Sequence, residues 1–214
     1  MKKETRGKKP ETDWKTYFNW KSYFKERSNL IPRESVLKAL EIFESENKSK
    51  KKLFAADIGC GHGTDTIELL RRGWKVHAID KERTGLTILK KSIDAKLKKN
   101  LITSRQEFET IKLDKYDLVN AGYSIPFCRP ENFEELWNKI MKSIKKGGRF
   151  SGNLFGEKDT WTDNPFMNYH TKENAIKLFR GFELEFFAEK DEDGVTTSGD
   201  TKHWHVFSIV AKKL

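Results

Sequence analysis

A glycine-rich loop is the first feature of this sequence that could do chemistry. It lies where an apolar segment ends and an amphipathic one begins, and it reads Asp57-Ile58-Gly59-Cys60-Gly61-His62-Gly63-Thr64. Glycines there allow backbone angles that other residues avoid, and they leave no side chain between the loop and a ligand. A second apolar segment follows and ends at Asp80. This order predicts a ligand site at the carboxyl ends of parallel strands.

The main alternative for this loop is a dinucleotide site, whose G-x-G-x-x-G pattern places a helix N-terminus against a pyrophosphate. Here the third glycine, Gly63, comes one position early, and Thr64 stands where that pattern needs glycine or alanine. Asp57 would repel a pyrophosphate, whereas it would attract a ligand that carries an ammonium group or a positively charged sulfur. Spacing and charge together therefore argue against a dinucleotide.

The elements that must position this loop alternate along the chain. Short apolar runs alternate with longer amphipathic stretches, which is the pattern of a parallel sheet flanked by helices. The predicted strands are residues 53–58, 75–80, 101–105, 116–121, 148–155, 182–189 and 204–210. The predicted helices between them are residues 64–72, 83–99, 132–144 and 172–180. We predict an α/β fold with a single doubly wound, mainly parallel seven-stranded sheet, helices on both faces and a C-terminal antiparallel β-hairpin.

The N-terminal part of the sequence has a different character. Residues 1–10 are charged and aperiodic, so we expect a disordered basic start. Aromatic residues between positions 14 and 24 recur at three- and four-residue steps, which predicts a helix. We expect residues 11–50 to form a helical cap that packs on the core, with a lid over the ligand as the alternative. Residues 51–214 then form the α/β domain.

Charge and composition limit the partners and the location. The 214 residues include 42 Lys and Arg against 32 Asp and Glu, a net charge of +10. The excess lysines are spread over several segments, which favours solvated surfaces over a nucleic-acid footprint. No apolar run approaches the length of a membrane span, and the start lacks an apolar leader, so we expect a cytoplasmic protein without a membrane partner. Cys60 and Cys128 lack the spacing of a zinc ribbon.

The pattern Asp57-x-Gly59-x-Gly61-x-Gly63, followed by Asp80, resembles the cofactor motif of the class I S-adenosylmethionine-dependent methyltransferases. This resemblance implies a Rossmann-like methyltransferase domain over residues 51–214, with S-adenosylmethionine as the cofactor. In that family the first loop cradles the methionine part of the cofactor, and the acid after the second strand binds both ribose hydroxyls. The implied cofactor-binding residues are Asp57, Gly59, Gly61, Gly63, Thr64, Asp80, Lys81, Gln106, Glu107, Phe108 and Asn120.

A narrower resemblance, to small bacterial methyltransferases grouped with tellurite-resistance-like proteins, rests on three other segments. These are Tyr123–Cys128, Phe155–Trp161 and Lys202–Phe207. They add support for the enzyme class and little about the methyl acceptor.

The acceptor side of the site is less defined by the sequence. Residues 120–123 stand where methyltransferases of exocyclic amines in nucleic acids carry two prolines before an aromatic residue, and both prolines are missing here. This loss weakens a base-modifying function. We predict that Tyr123, Ser124 and Trp161 line a substrate pocket, with ordinary packing as the alternative.

Transfer of a methyl group from a sulfonium needs alignment of the acceptor above all. We identify no persuasive catalytic base, which favours a soft or already activated small-molecule acceptor. The alternatives are an RNA or protein methyltransferase and a noncatalytic protein that binds S-adenosylmethionine. His203 and His205 share one face of a predicted strand, but no third metal ligand is evident, so we predict no metal. Cys128 lacks the Pro-Cys order of nucleophilic pyrimidine methyltransferases.

Overall fold

The computed structural model describes residues 31–46, 52–196 and 199–214. The strands are β1 (Phe54–Ile58), β2 (Lys75–Asp80), β3 (Leu101–Arg105), β4 (Tyr116–Ala121), β5 (Ile144–Gly156), β6 (Tyr169–His170), β7 (Phe182–Val195) and β8 (Thr201–Lys213). The helices are α1 (Glu34–Ser45), α2 (Thr64–Arg71), α3 (Arg83–Ser92), α4 (Ala95–Lys98), α5 (Pro130–Ser143) and α6 (Lys172–Lys177), with 3-10 turns at Ile125–Phe127 and Thr160–Asp163.

These strands form one mixed sheet in the order β3-β2-β1-β4-β5-β8-β7, and the short β6 pairs with β5. Strands β1 to β5 pair in parallel, whereas β8 runs antiparallel to both β5 and β7. From β1 the chain continues outward to β2 and β3 and then crosses to β4 on the other side of β1, and this reversal opens a crevice at the carboxyl ends of β1 and β4. The predicted α/β class and its C-terminal hairpin are confirmed.

Apolar side chains cover both faces of the sheet. On one face, Val36, Leu40 and Phe43 of α1 form a stripe at helical spacing that packs with Leu69 and Trp74. The cluster on the other face is larger and is centred on the aromatic residues Tyr116, Trp137, Phe150, Phe179 and Phe207. The central strands are therefore buried on both sides, as their nearly continuous apolar sequences predict.

A buried arginine fixes the C-terminal end of α1 to the sheet. The Arg149 side chain is 0% exposed, and its guanidinium donates hydrogen bonds to the carboxylates of Glu46 and Glu185. It also lies over the Phe43 ring at 4.5 Å. This contact joins β5, β7 and the residue that follows α1. It thereby holds α1 in an orientation that brings the preceding residue, Arg33, to the crevice.

Three details differ from the sequence prediction. The helix predicted over residues 83–99 is two helices, because Ile93 adopts an extended conformation and turns its side chain into the core. The hairpin strands are longer than predicted. Polar residues across the hairpin pair with one another, as when His203 contacts Asp191 at 2.8 Å and Asp193 at 2.7 Å, so residues 191–195, beyond the predicted strand 182–189, also belong to β7. The two-residue β6 carries too little pattern to be predicted.

The predicted aromatic helix within residues 14–24 lies outside the described residues, as does the predicted disordered start. Across the ranges that the structure does describe, none of the helices combines the length and the apolar character that crossing a bilayer requires.

Candidate functional site

A cleft opens at the carboxyl ends of β1, β2, β3 and β4, with about 960 Å³ of empty space that is open to solvent. The loops after these four strands supply most of its walls, and Arg33 before α1 adds a fifth segment. The predicted residues that line it are Asp57, Gly59, Gly61, Thr64, Asp80, Lys81, Gln106, Phe108, Tyr123 and Ser124. The structure thus brings together side chains that are up to 94 positions apart in the chain, from Arg33 to Phe127.

The glycine loop needs its glycines for both conformation and space. Gly59, Gly61 and Gly63 have φ values of 68°, 56° and 90°, in the left-handed region that other residues avoid. A Cβ on Gly59 would lie 2.3 Å from the Cβ of Ser124, and one on Gly63 would lie 2.3 Å from Cδ1 of Leu89. Gly63 does not line the cleft. Because Gly63 has no side chain, the start of α2 packs closely against Leu89 of α3.

Asp80 ends β2 beside this loop and faces the cleft with 8% of its surface exposed. One carboxylate oxygen accepts the N–H of Gly61 at 2.8 Å, and the other accepts the N–H of Glu82 at 2.7 Å. Each oxygen keeps a further lone pair that could accept a hydroxyl. Burial raises the pKa of Asp80, while the two backbone donors act in the opposite direction. Asp80 therefore shapes the loop and presents acceptor atoms to the cleft.

A polar network fills the crevice below the glycine loop. The Asn120 amide nitrogen donates to Oδ1 of Asp57 at 2.9 Å and to Oδ2 of Asp65 at 3.0 Å. The Asn120 carbonyl oxygen accepts the Ser151 hydroxyl at 2.7 Å, and Thr66 donates to the second Asp57 oxygen at 2.5 Å. Asn120 is completely buried and does not line the cleft. It therefore acts here by holding two carboxylates side by side.

These contacts leave two carboxyl groups close together in a buried environment. Burial raises the pKa of Asp57 to about 7, and the neighbouring Asp65 adds to the increase by repulsion. Burial also raises the pKa of Asp65, although the backbone N–H of Arg33 and the amide of Asn120 stabilise its charged form. A cation that enters the cleft would relieve this repulsion. The network is thus suited to bind a positively charged group.

Asp65 and Arg33 line the cleft and were not predicted from the sequence. An acidic residue in the first turn of a helix is common, because it interacts favourably with the helix dipole, so Asp65 carries no distinctive signal. Arg33 precedes the glycine loop by more than twenty residues and belongs to no local motif. Only the tertiary arrangement of α1 on the sheet brings Arg33 to the site.

An aromatic wall closes one side of the cleft. Tyr123 is the one non-glycine residue with positive φ, 53°, among the residues that the structure describes. Its ring packs edge-on against Phe155 and Trp204, with centroids 6.1 and 6.4 Å away, and the guanidinium of Arg33 lies 4.8 Å from the ring centre. Phe127 also lines the cleft. The wall is continuous with the apolar cluster around Phe155.

Three further predicted residues, Glu107, Asn120 and Trp161, do not line the cleft, and neither does Gly63. Glu107 is exposed on the loop after β3. Trp161 lies behind Phe127, at a centroid distance of 6.3 Å, and packs against Trp204 at 5.8 Å. Gln106 lines the cleft, but its amide already donates to Ser104 and accepts from the backbone of Lys112. The ligand contacts of all these residues remain predictions.

A second polar cluster, on the hairpin, has the residue types of a metal site. Ligand atoms of Glu189, Asp191 and His205 lie within 4.8 Å of one another. However, Nδ1 of His205 accepts the N–H of Lys158, which places the ring proton on Nε2, facing Glu189 at 3.0 Å. The two carboxylates also pair with Lys158 at 2.5 Å and Lys172 at 2.8 Å. These contacts satisfy the cluster internally, and we assign it no metal.

The part of this chain that matches a known family contains every residue that lines the cleft except Arg33. A family model described as a methyltransferase domain matches residues 55–148, which run from β1 into β5. This part of the chain is therefore similar to methyltransferase domains, and the resemblance predicted from the sequence is confirmed over residues 55–148. The matched range ends before the C-terminal hairpin, which belongs to the same sheet.

Curated relatives of this methyltransferase domain include a carboxy-S-adenosyl-L-methionine synthase from Yersinia pestis (strain Pestoides F). It is 24% identical over 113 residues, which are 50% of this chain and 41% of that protein. The chain thus spans less than half the length of the curated relatives it matches.

Solved structures extend the similarity over nearly the whole chain. TehB from Haemophilus influenzae aligns with a TM-score of 0.70 at 17% identity, covering 91% of this chain and 67% of that one. Magnesium protoporphyrin IX methyltransferase from Synechocystis, solved with bound S-adenosylmethionine, aligns with a TM-score of 0.65 at 14% identity, covering 99% of this chain and 100% of that one. At these identities the likeness establishes the fold, and the resemblance to the tellurite-resistance-like group is borne out at that level.

Proposed function

We propose that this protein is an S-adenosylmethionine-dependent methyltransferase that transfers the methyl group in line to a small-molecule acceptor. The observation that carries the proposal is the cleft itself, which lies within the methyltransferase domain and has an acidic group at two places. Asp57 and Asp65 lie below the glycine loop, and Asp80 lies at the end of the neighbouring strand.

The residues present fit this cofactor. Gly59 has no room for a side chain, so its backbone lies bare beside the cleft. The buried carboxylates Asp57 and Asp65 suit an ammonium group and a sulfonium, both of which are cationic. The Asp80 oxygens keep acceptor capacity for ribose hydroxyls, and Phe108 offers an apolar ring on the same side. These assignments follow the family resemblance and are part of the proposal.

S-adenosylmethionine, when bound, supplies an electrophilic methyl group on sulfur. The task of the chain is then to orient the acceptor and to exclude water from the reacting end. Tyr123, Ser124 and Phe127 form the wall on that side, and Ser124 is fixed because its hydroxyl donates to the Ile58 carbonyl at 2.6 Å. An aromatic wall of this kind suits a compact, partly apolar acceptor with a soft nucleophilic atom.

Several similar structures support the small-molecule acceptor. One is the 1,6-didemethyltoxoflavin-N1-methyltransferase of Burkholderia thailandensis, solved with bound 1,6-didemethyltoxoflavin and S-adenosylhomocysteine, which aligns at 16% identity with a TM-score of 0.60 and covers 84% of this chain and 78% of that one. A nucleic-acid acceptor is less favoured, because Arg33 covers a face of Tyr123 on which an extruded base would have to stack. We further propose a cytoplasmic location, in line with the sequence.

Two measurements test the proposal. Calorimetry with S-adenosylmethionine and S-adenosylhomocysteine should show binding of both, whereas NADH should not bind. A screen with labelled methyl donor over thiols, metalloid oxyanions, amines and bulk RNA should then transfer label to a small molecule. Failure to bind either adenosyl compound would overturn the proposal, and transfer to RNA alone would overturn the choice of acceptor.

A further inference from the structure

We propose that Arg33 and Asp65 together hold the amino-acid end of S-adenosylmethionine, with the guanidinium on the carboxylate and the Asp65 carboxylate on the ammonium. The inference rests on the proposed function, since it concerns the same cofactor. It adds two binding residues that lie outside the glycine motif.

Arg33 is placed to bind an anion. It lines the cleft, and the central carbon of its guanidinium lies over the Tyr123 ring, 4.8 Å from the ring centre. Among the residues that the structure describes, no carboxylate forms an ion pair with this guanidinium. The part of Arg33 that contacts Asp65 is its backbone N–H, which donates to Oδ1 at 2.9 Å. The planar guanidinium therefore retains donors for a bidentate contact with a carboxylate.

Asp65 supplies the opposite charge at the same point. It is 7% exposed and lines the cleft, whereas Asp57, at 2%, lies deeper. The bond from the Arg33 backbone fixes the spacing between the two residues, and the Asn120 amide holds the second Asp65 oxygen. An α-amino acid carries its ammonium and its carboxylate on one carbon. A carboxylate and a guanidinium joined in this way match that pair of charges.

The loop after β4 is shaped to admit this pair. A Cβ on Gly122 would lie 2.8 Å from Oδ2 of Asp65 and 3.1 Å from Cγ of Arg33. Gly122 stands where the base-modifying enzymes carry their second proline, so its lack of a side chain makes room for Arg33. The next residue, Tyr123, then takes the left-handed conformation that puts its ring beneath the guanidinium. The absence of the second proline thus has a structural reason.

The test compares two ligands that differ in the amino-acid end. S-adenosylhomocysteine has it, whereas 5′-methylthioadenosine keeps the adenine, the ribose and the sulfur but lacks both charges. We expect Arg33→Gln and Asp65→Asn each to weaken S-adenosylhomocysteine binding roughly ten- to hundredfold, as for the loss of a charge-assisted contact. Binding of 5′-methylthioadenosine should stay within about twofold of the wild type. Calorimetry gives both affinities.

Two further variants sharpen the comparison. Arg33→Lys keeps the charge without the fork of donors, and should recover part of the lost affinity for S-adenosylhomocysteine. Arg129→Gln is the matched control, because Arg129 also stacks on an aromatic ring, Phe166 at 5.3 Å, but does not line the cleft. It should bind both ligands as the wild type does.

The possible results separate this inference from the proposed function. Unchanged S-adenosylhomocysteine affinity in Arg33→Gln would overturn the inference while leaving the methyltransferase assignment intact. An equal loss for both ligands would also overturn it, because the residue would then only shape the cleft. A wild-type protein that binds neither ligand would instead overturn the proposed function.

Discussion

Binding of S-adenosylhomocysteine should strengthen as the pH rises from 6 to 7, because Asp57 must be ionised to stabilise the ligand's ammonium. Burial and repulsion by Asp65 raise the pKa of Asp57 to about 7 in the unliganded protein. A bound ammonium favours the charged carboxylate, so the pKa should fall in the complex. Binding at pH 6 must therefore release a proton, which costs affinity.

The expected magnitude follows from the linkage between protonation and binding. With a free-state pKa of about 7 and a much lower value in the complex, the dissociation constant at pH 6 should be about fivefold that at pH 7. The ligand's own amino group stays protonated over this interval, since its pKa lies well above 7. S-adenosylhomocysteine is the better probe, because it lacks the sulfonium and isolates the ammonium.

Calorimetry at the two pH values, in buffers with different heats of ionisation, measures both the affinity and the proton released. Asp57→Asn should bind more weakly and lose most of this pH dependence, whereas Glu183→Gln, an exposed change on β7 away from the cleft, should keep it. Asp65 and Asp80 face the same region, and burial raises the pKa of each. A flat wild-type profile, or an undiminished slope in Asp57→Asn, would refute the role given to Asp57.

Three other changes have definite expected outcomes. Asp80→Ala should weaken both S-adenosylhomocysteine and 5′-methylthioadenosine several-fold in calorimetry, because both ligands share the ribose; a loss confined to one ligand would contradict the ribose assignment. Gly63→Ala should lower the free energy of unfolding in urea by more than Gly73→Ala. Both positions have φ near 90° and a strain of about 1–3 kcal/mol, but only Gly63 also meets Leu89. Arg149→Ala should cost roughly 3 kcal/mol of unfolding free energy in urea, because it removes a buried cation that hydrogen-bonds two carboxylates, and a loss below about 1 kcal/mol would contradict this.

The sequence predicted well which residues near the glycine loop line the cleft, because this part of the cleft is encoded locally. A strand, the glycine loop and a helix follow one another directly, and the left-handed angles at Gly59 and Gly63 require the glycines that the motif shows. Asp80 could be predicted as well, since its place at the end of β2 follows from the parallel pairing of β1 and β2. The bounds of β2, β3 and β4 were also predicted correctly, from the short apolar runs in the sequence.

The aromatic wall of the cleft was predicted less well, because it depends on contacts between distant segments. Trp161 was assigned to the pocket from its place in a loop near the cleft, yet the aromatic residues Phe127 and Trp204 hold it in the layer behind. Asp65 has an ordinary place in a helix, and only the Asn120 amide makes it a partner of Asp57. Neither the packing of Trp161 nor the contact between Asp65 and Asn120 produces a recognisable pattern in the sequence.

Arg33 shows most clearly why tertiary contacts decide this end of the cleft. Its position depends on α1, whose apolar stripe packs on the sheet and whose far end is held through the Arg149 network. A change at Glu46, at the opposite end of α1 from the cleft, should therefore loosen Arg33 without touching it. Glu46→Gln should weaken S-adenosylhomocysteine binding while 5′-methylthioadenosine affinity stays unchanged, and calorimetry on a variant shown to be folded measures both. Equal affinities of wild type and variant for S-adenosylhomocysteine would mean that Arg33 is positioned by Asp65 and Tyr123 alone.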